Sequence, residues 1–136
     1  MMDINLLIDD RDVAASTGAT FERRDPITGD VASRAAAASV ADAQAAADAA
    51  AAAFPAWSKL GPNARRAVLL KAADLLEGRA AEFVNLMATE IGATVGWAQF
   101  NVKLAAGMLR EAASLTTQIT GEIIPSDKPG CVSMAV

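Results

Sequence analysis

The stretch "GWAQFNVKLAAGMLREAASL", residues 96–115, gathers the side chains best suited to hold a flat ligand. Trp97 and Phe100 stand one turn apart, and Leu104 and Met108 continue the stripe at helical spacing. Asn101 projects about 40° from that stripe, inside the apolar sector. Aromatic residues make up 4% of the chain, so two on one helical face call for a reason. One reading is a packed core face. The other is a ligand wall, in which two flat side chains sandwich an aromatic ring by edge or offset stacking, at roughly 0.5–1.5 kcal/mol per pair. The Asn101 amide needs a partner in either case, a neighbouring carbonyl or a ligand.

Other chemistry is scarce. The chain has no His, which excludes a His-containing metal site, a Ser-His or Cys-His nucleophile pair and an imidazole base. The single cysteine, Cys131, excludes an internal disulfide and a cysteine metal cluster, and fits a reducing compartment. With Lys128 as its one nearby cation and no helix start behind it, Cys131 reads as a small strand residue. No Gly-x-Gly-x-x-Gly or Walker loop occurs. Glu90 and Glu111 read as solvated or salt-bridged helix positions. The residues therefore assign no catalytic group, no cofactor-binding group and no metal ligand.

Several elements must position the aromatic stripe. Residues 4–34 read as extended, with a Ser-Thr-Gly turn at 16–18 and "DPITGD" turning between two short strands through Pro26 and Gly29. Ser39 is the expected N-cap of a first helix, with Asp42 three residues on as a capping-box variant and Pro55 as its stop. Gly61 and Pro62 open a second helix whose stripe is Val68, Leu69, Ala72, Leu75 and Leu76. Gly78 loosens the chain before a third helix, with Phe83, Leu86, Met87 and Ile91 inward and Gly92 as its stop. The fourth and longest helix is expected from Thr94 to about Ile119. Its first stripe is Trp97, Phe100, Leu104, Met108, Leu115 and Ile119; a second, Val95, Val102 and Leu109, implies burial on two sides and a further domain against it. A Pro129-Gly130 turn then leads to a strand-like "CVSMAV". The chain is thus mainly α, with N-terminal β-hairpin strands, four helices and a C-terminal strand.

At 136 residues and 53% hydrophobic content, the chain suffices for one modest core, although much of that content is Ala, which removes little area from water. A net charge of -4 argues against nucleic acid and anionic membrane surfaces as partners. No run of 18 apolar residues occurs, because "AAADAAAAAF" is short and broken by Asp48. The acidic "MMDINLLIDD" lacks a basic signal-peptide start, so a cytoplasmic location is expected.

The succession "LLIDDRDV", "TFERRDPITGDVAS", "SVADAQAAADAAAAAFPAWSKLGPNARRAVLLKAADLLEGRAAEFVNLMATEIGA" and "LREAASLTTQITGEIIPSD" resembles the opening of NAD(P)-dependent aldehyde dehydrogenases, over nearly the whole chain. The helix "GWAQFNVKLAAGMLREAASLTTQITGE" is most similar to the group that oxidises salicylaldehyde, vanillin and benzaldehyde. A departure is Asp9-Asp10, where the family usually places a Gly at the hairpin tip. The resemblance implies a part of the α/β aldehyde dehydrogenase fold: residues 1–120 as strands and helices of the cofactor-binding domain, and 121–136 as the start of an oligomerisation β arm. It implies that the Cys, Glu and cofactor motifs lie outside this chain, which alone is expected to be inactive. The complete enzyme would attack an aromatic aldehyde with a Cys thiolate, pass hydride to NAD or NADP and hydrolyse the thioester, as a homo-oligomer. Trp97, Phe100, Asn101 and Leu104 are its implied substrate-binding residues. The contrasting reading is a non-catalytic helical module that binds a partner protein through its apolar faces.

Overall fold

The computed structural model describes residues 2–135. Its N-terminal part is β structure. Strand β1 (Met2–Ile4) runs parallel to β5 (Val31–Ala36), and β4 (Thr20–Arg24) pairs antiparallel with β5 on the other side, in the order β1-β5-β4. Between them, β2 (Leu6–Ile8) and β3 (Arg11–Val13) form a separate hairpin. Its two-residue tip, Asp9 and Asp10, has φ of 55° and 58°, so two aspartates occupy the left-handed region that a tight hairpin turn demands. Short polar side chains tolerate that region better than bulky ones, and Asp9 pairs with Arg11 at 3.2 Å. The hairpins expected within residues 4–34 are present; the parallel pairing of β1, which begins before residue 4, is an additional feature.

The turn at "DPITGD" joins β4 to β5 as expected. The Asp25 carboxylate accepts from the Ile27 and Thr28 amides, and Gly29, at φ 79°, donates its amide to the Asp25 carbonyl at 2.8 Å. Likewise Gly18, at φ 71°, closes the turn at 16–18 with a 2.8 Å bond to the Ala15 carbonyl.

Helix α1 spans Val40–Ser58. Ser39 and Asp42 form the full capping box, and Asp42 further accepts from the Ser16 amide, tying the loop before β4 to the helix start. The expected stop at Pro55 is not observed; the proline sits inside the helix. Pro55 withholds one amide from the Ala51 carbonyl, but Ala51 is exposed and water can satisfy it, so the last turn closes beyond.

Helix α2 (Pro62–Gly78) begins with Pro at its first position, and Arg79 alone separates it from α3 (Ala80–Ile91). Gly92, at φ 66°, ends α3 in a left-handed cap; a Cβ there would meet Pro26 Cγ at 3.0 Å, so another residue would need both a left-handed backbone and a small shift of the DPITGD turn. Ile91, expected inward, is exposed, as are Val68 and Leu75 on α2; Leu69, Ala72 and Leu76 are half-buried beside the buried Ala73.

Helix α4 runs Val95–Leu115, one turn short of the expected end. Thr116 caps it, its hydroxyl donating to the Ala113 carbonyl, and Ile119 lies exposed beyond. The last strands, β6 (Glu122–Ile124) and β7 (Ser133–Ala135), form a two-stranded antiparallel hairpin. Cys131 is not in a strand: it lies exposed in the connecting loop, its amide donating to the Lys128 carbonyl, because the Pro129-Gly130 turn extends through it. Among the described residues no helix is long and apolar enough to cross a membrane.

The buried apolar residues are Ala15, Ala73, Ala98, Val102, Ala106 and Ala113. Helices therefore meet through small side chains, α2 against α4 above all, and this brings their backbones close.

Candidate functional site

Thr94 starts α4 by accepting the Trp97 amide on its hydroxyl at 3.4 Å, which fixes the azimuth of every residue after it. The helix then divides sharply. Ala98, Val102, Ala106 and Ala113 are buried, with Val102 only 5% exposed. On the wheel they centre about 140° from Trp97. Trp97 is 57% exposed, Phe100 51%, Leu104 49% and Met108 65%.

This decides between the two readings of the first stripe and corrects that of the second. The stripe of Trp97, Phe100, Leu104 and Met108 is not a core face of this chain. Of the second stripe, Val102 is buried and Leu109 half-buried, so these two serve the contact within the chain, while Val95 is exposed. The helix is buried on one side, not two. The reason is the run of alanines: they let α2 approach closely on one face, and a stripe carrying Trp and Phe is too bulky for that seam.

Trp97 and Phe100 stack on each other, with ring centroids 5.4 Å apart and planes inclined by 27°. A third ring does not fit between them, since that would need about 7–8 Å, twice the ~3.5–4 Å carbon contact distance. The pair instead forms one continuous π surface, against which a ring can lie by offset or edge contact. Leu104 and Met108 extend it, and from Trp97 to Met108 the strip is about 16 Å long. Asn101, half-buried at its border, donates from Nδ2 to the Trp97 carbonyl at 2.8 Å. The structure thus brings Trp97, Phe100, Asn101 and Leu104 together on one helix face, open on its outer side.

Polar contacts hold this helix from behind. Arg110 donates to both Glu77 oxygens, at 2.8 and 2.7 Å, and to Asp74 at 3.0 Å. The Arg110 hydrogen bond holds the Glu77 carboxyl below the usual carboxylate range, and Glu77 and Asp74 together raise the guanidinium pKa. Arg66 of α2 donates to the Ala113 carbonyl at 3.1 Å, capping the end of α4. These contacts restrict rotation of α4 about its axis, so its aromatic face keeps one direction.

Two features escaped the reading of the sequence. Glu90 accepts from the hydroxyl of the buried Ser33 and pairs with Arg23 at 3.8 Å, which joins α3 to the sheet. Its partners lie far away in sequence, and no local pattern announces them. The Ser16 bond to Asp42 is hidden for the same reason. Among the described residues no group of three His, Cys, Asp or Glu side chains could hold a metal ion.

A face that offers an aromatic surface and one amide can bind a flat apolar ring, and it carries no acid, base or nucleophile. Comparison with known proteins places the chain. Residues 13–136 match the model of the aldehyde dehydrogenase family. The vanillin dehydrogenase of Pseudomonas fluorescens is 56% identical over 136 residues, all of this chain and 28% of that protein. The crystal structure of a salicylaldehyde dehydrogenase from Pseudomonas putida G7, complexed with salicylaldehyde, superposes with a TM-score of 0.96 at 46% identity, covering 98% of this chain and 28% of that one. An NAD-dependent benzaldehyde dehydrogenase from Corynebacterium glutamicum gives a TM-score of 0.85 at 31% identity, covering 91% and 27%. The chain therefore spans little more than a quarter of the length of these relatives. With most of its residues matched by the family model and its fold superposing on solved members throughout, the chain belongs to the aldehyde dehydrogenase family.

Proposed function

We propose that this chain is the N-terminal segment of an NAD(P)-dependent dehydrogenase of aromatic aldehydes, and that the exposed face of α4 is one wall of its substrate site. The observation that carries the reading is the mutually stacked Trp97–Phe100 pair, held outward by a helix whose opposite face is locked against α2. A soluble domain rarely leaves such a pair open without a ligand or partner for it. The relatives support the same reading, since vanillin, salicylaldehyde and benzaldehyde share an aromatic ring on the aldehyde carbon. In this reading residues 1–120 belong to the cofactor-binding domain and 121–136 begin the arm through which subunits associate. The nucleophilic Cys, the Glu base and the groups that hold NAD or NADP are supplied by other segments of the enzyme.

The wall contributes binding and orientation. Trp97 and Phe100 take the ring face or edge, and Leu104 bounds it one turn on. Such contacts act alike in ground state and transition state, so they lower KM more than they raise kcat. In the full-length enzyme, Phe100→Ala is expected to raise KM for benzaldehyde roughly tenfold, the loss of about 1.4 kcal/mol, with kcat little changed and a smaller effect on a short aliphatic aldehyde. Trp97→Ala is expected to act in the same direction, with a thermal melt to exclude misfolding. Equal losses on aromatic and aliphatic aldehydes, with an unchanged melt, would remove the ring-binding role.

A further inference from the structure

The Asn101 amide has a fixed orientation. Its partner, the Trp97 carbonyl, is an acceptor only, so the atom facing it at 2.8 Å must be Nδ2, which leaves Oδ1 as the amide atom outside that bond. Among the described residues no donor reaches Oδ1. Nor is this oxygen an unsatisfied buried atom: Asn101 is only half-buried, and among the described residues the one buried side-chain nitrogen or oxygen without a partner is Nε of Arg65. Oδ1 is thus an accessible hydrogen-bond acceptor, held by a side chain whose other branch is already bonded. Asn101 follows Phe100 directly and stands one turn from Trp97 on α4, which places it at the border of the stacked pair.

We propose that Asn101 Oδ1 accepts a hydrogen bond from a hydroxyl group on the substrate ring, so that this wall selects aromatic aldehydes bearing a free phenolic hydroxyl. The inference rests on the ring-binding reading of α4 and adds its polar specificity. The chemistry is discriminating in one direction. A phenol O–H is a donor and satisfies Oδ1, whereas the methyl ether of the same ring has no hydrogen to give and leaves Oδ1 without a partner once water is expelled. A site built to take a hydroxyl donor rejects an analogue lacking it more strongly than an apolar pocket rejects a change of size. The bond to the Trp97 carbonyl pre-orients the amide, so little side-chain freedom is lost when substrate arrives.

The test uses the full-length enzyme with two matched substrate pairs, meta- and para-hydroxybenzaldehyde, each against its methyl ether. The quantity read is the ratio of kcat/KM within a pair, which cancels any loss of folded enzyme. With Asn101→Leu, close in volume but without an acceptor, the hydroxy-to-methoxy ratio is expected to fall roughly five- to tenfold for at least one pair. Asn101→Ala, which adds no bulk, is expected to give the same fall. Ratios that stay within about twofold of the unmutated enzyme for both pairs and both variants would overturn the inference. Where the ratios stay unchanged while Phe100→Ala still shows selective loss on aromatic substrates, the hydroxyl contact is discarded and the ring wall kept. If Phe100→Ala shows no such selectivity, the wall itself falls, and this inference with it.

Discussion

The carboxylate of Asp42 joins two segments through one side chain. It accepts from the Ser39 amide at 2.8 Å and the Ser39 hydroxyl at 2.9 Å, which completes the cap of α1, and from the Ser16 amide at 3.1 and 3.2 Å, which anchors the loop before β4. The Ser39 backbone bond, opposed by partial burial and helped by the Ser39 hydroxyl and the Ser16 amide, holds the carboxyl below its ordinary value of 3.8. A carboxyl depressed on folding contributes stability that is present above its unfolded pKa and is lost as pH falls through the folded value. Thermal midpoints taken from about pH 7 down to about pH 2 should therefore show the unmutated chain losing more stability below about pH 4 than Asp42→Asn loses. Parallel curves for the two proteins would mean that the ionised carboxylate does not carry this latch. The capping box was legible because its three-residue spacing is a local signal. The Ser16 contact was not, since a hydrogen bond across 26 positions leaves no periodicity. Asn101 lay between these cases: its need for a partner was readable, and the choice of the Trp97 carbonyl was decided by helix geometry.

At the scale of the element, α4 shows what hydrophobic spacing can and cannot tell. Two apolar stripes were visible in the sequence, but hydrophobicity alone did not tell which of them faces the core of the chain. Trp97, Phe100, Leu104 and Met108 are the more hydrophobic set and point away from the chain's own core, while Ala98, Val102, Ala106 and Ala113 point into it. Close approach of helices is set by small volume, a property that a hydrophobicity pattern does not rank. The end of α1 failed for a related reason: Pro55 near the helix end costs one hydrogen bond to an exposed carbonyl, which is too little to stop the last turn. The tight seam has a consequence. Ala106 is fully buried while the adjacent Ala105 is exposed, so Ala106→Leu should destabilise the chain by about 1–3 kcal/mol through overpacking, and Ala105→Leu should stay within about 0.5 kcal/mol of it. Urea midpoints of the two variants decide the matter, and equal midpoints would mean that α2 and α4 are not in close contact there.

For the whole molecule, the balance between buried and exposed apolar surface is the governing fact. The chain is 53% hydrophobic, yet among the described residues the buried apolar ones are five alanines and one valine, and most of the aromatic side chains and many of the large aliphatic ones are exposed. Alanine burial removes little area from water, so the seam of α2 and α4 holds the helices in register without hiding the bulky strip. The strip from Trp97 to Met108 is contiguous, and such surfaces drive association when nothing covers them. A net charge of -4 opposes that association weakly, because charges spread over 136 residues are screened within about 8 Å at physiological salt. The purified 136-residue chain should therefore sediment as species that grow with concentration. Leu104→Glu, which places a charge in the middle of the strip, should shift the distribution toward monomer. Val40→Glu, the same charge at a more exposed apolar position at the start of α1 and far along the chain from the strip, should leave it as it was. A chain that remains monomeric at high concentration, with a sharp cooperative melt, would show that its helices satisfy their own apolar surface. If instead both substitutions dissolve the association equally, the driving contact is not the face of α4, and the outward Trp97–Phe100 pair loses its claim to be the surface that this fold leaves open for binding.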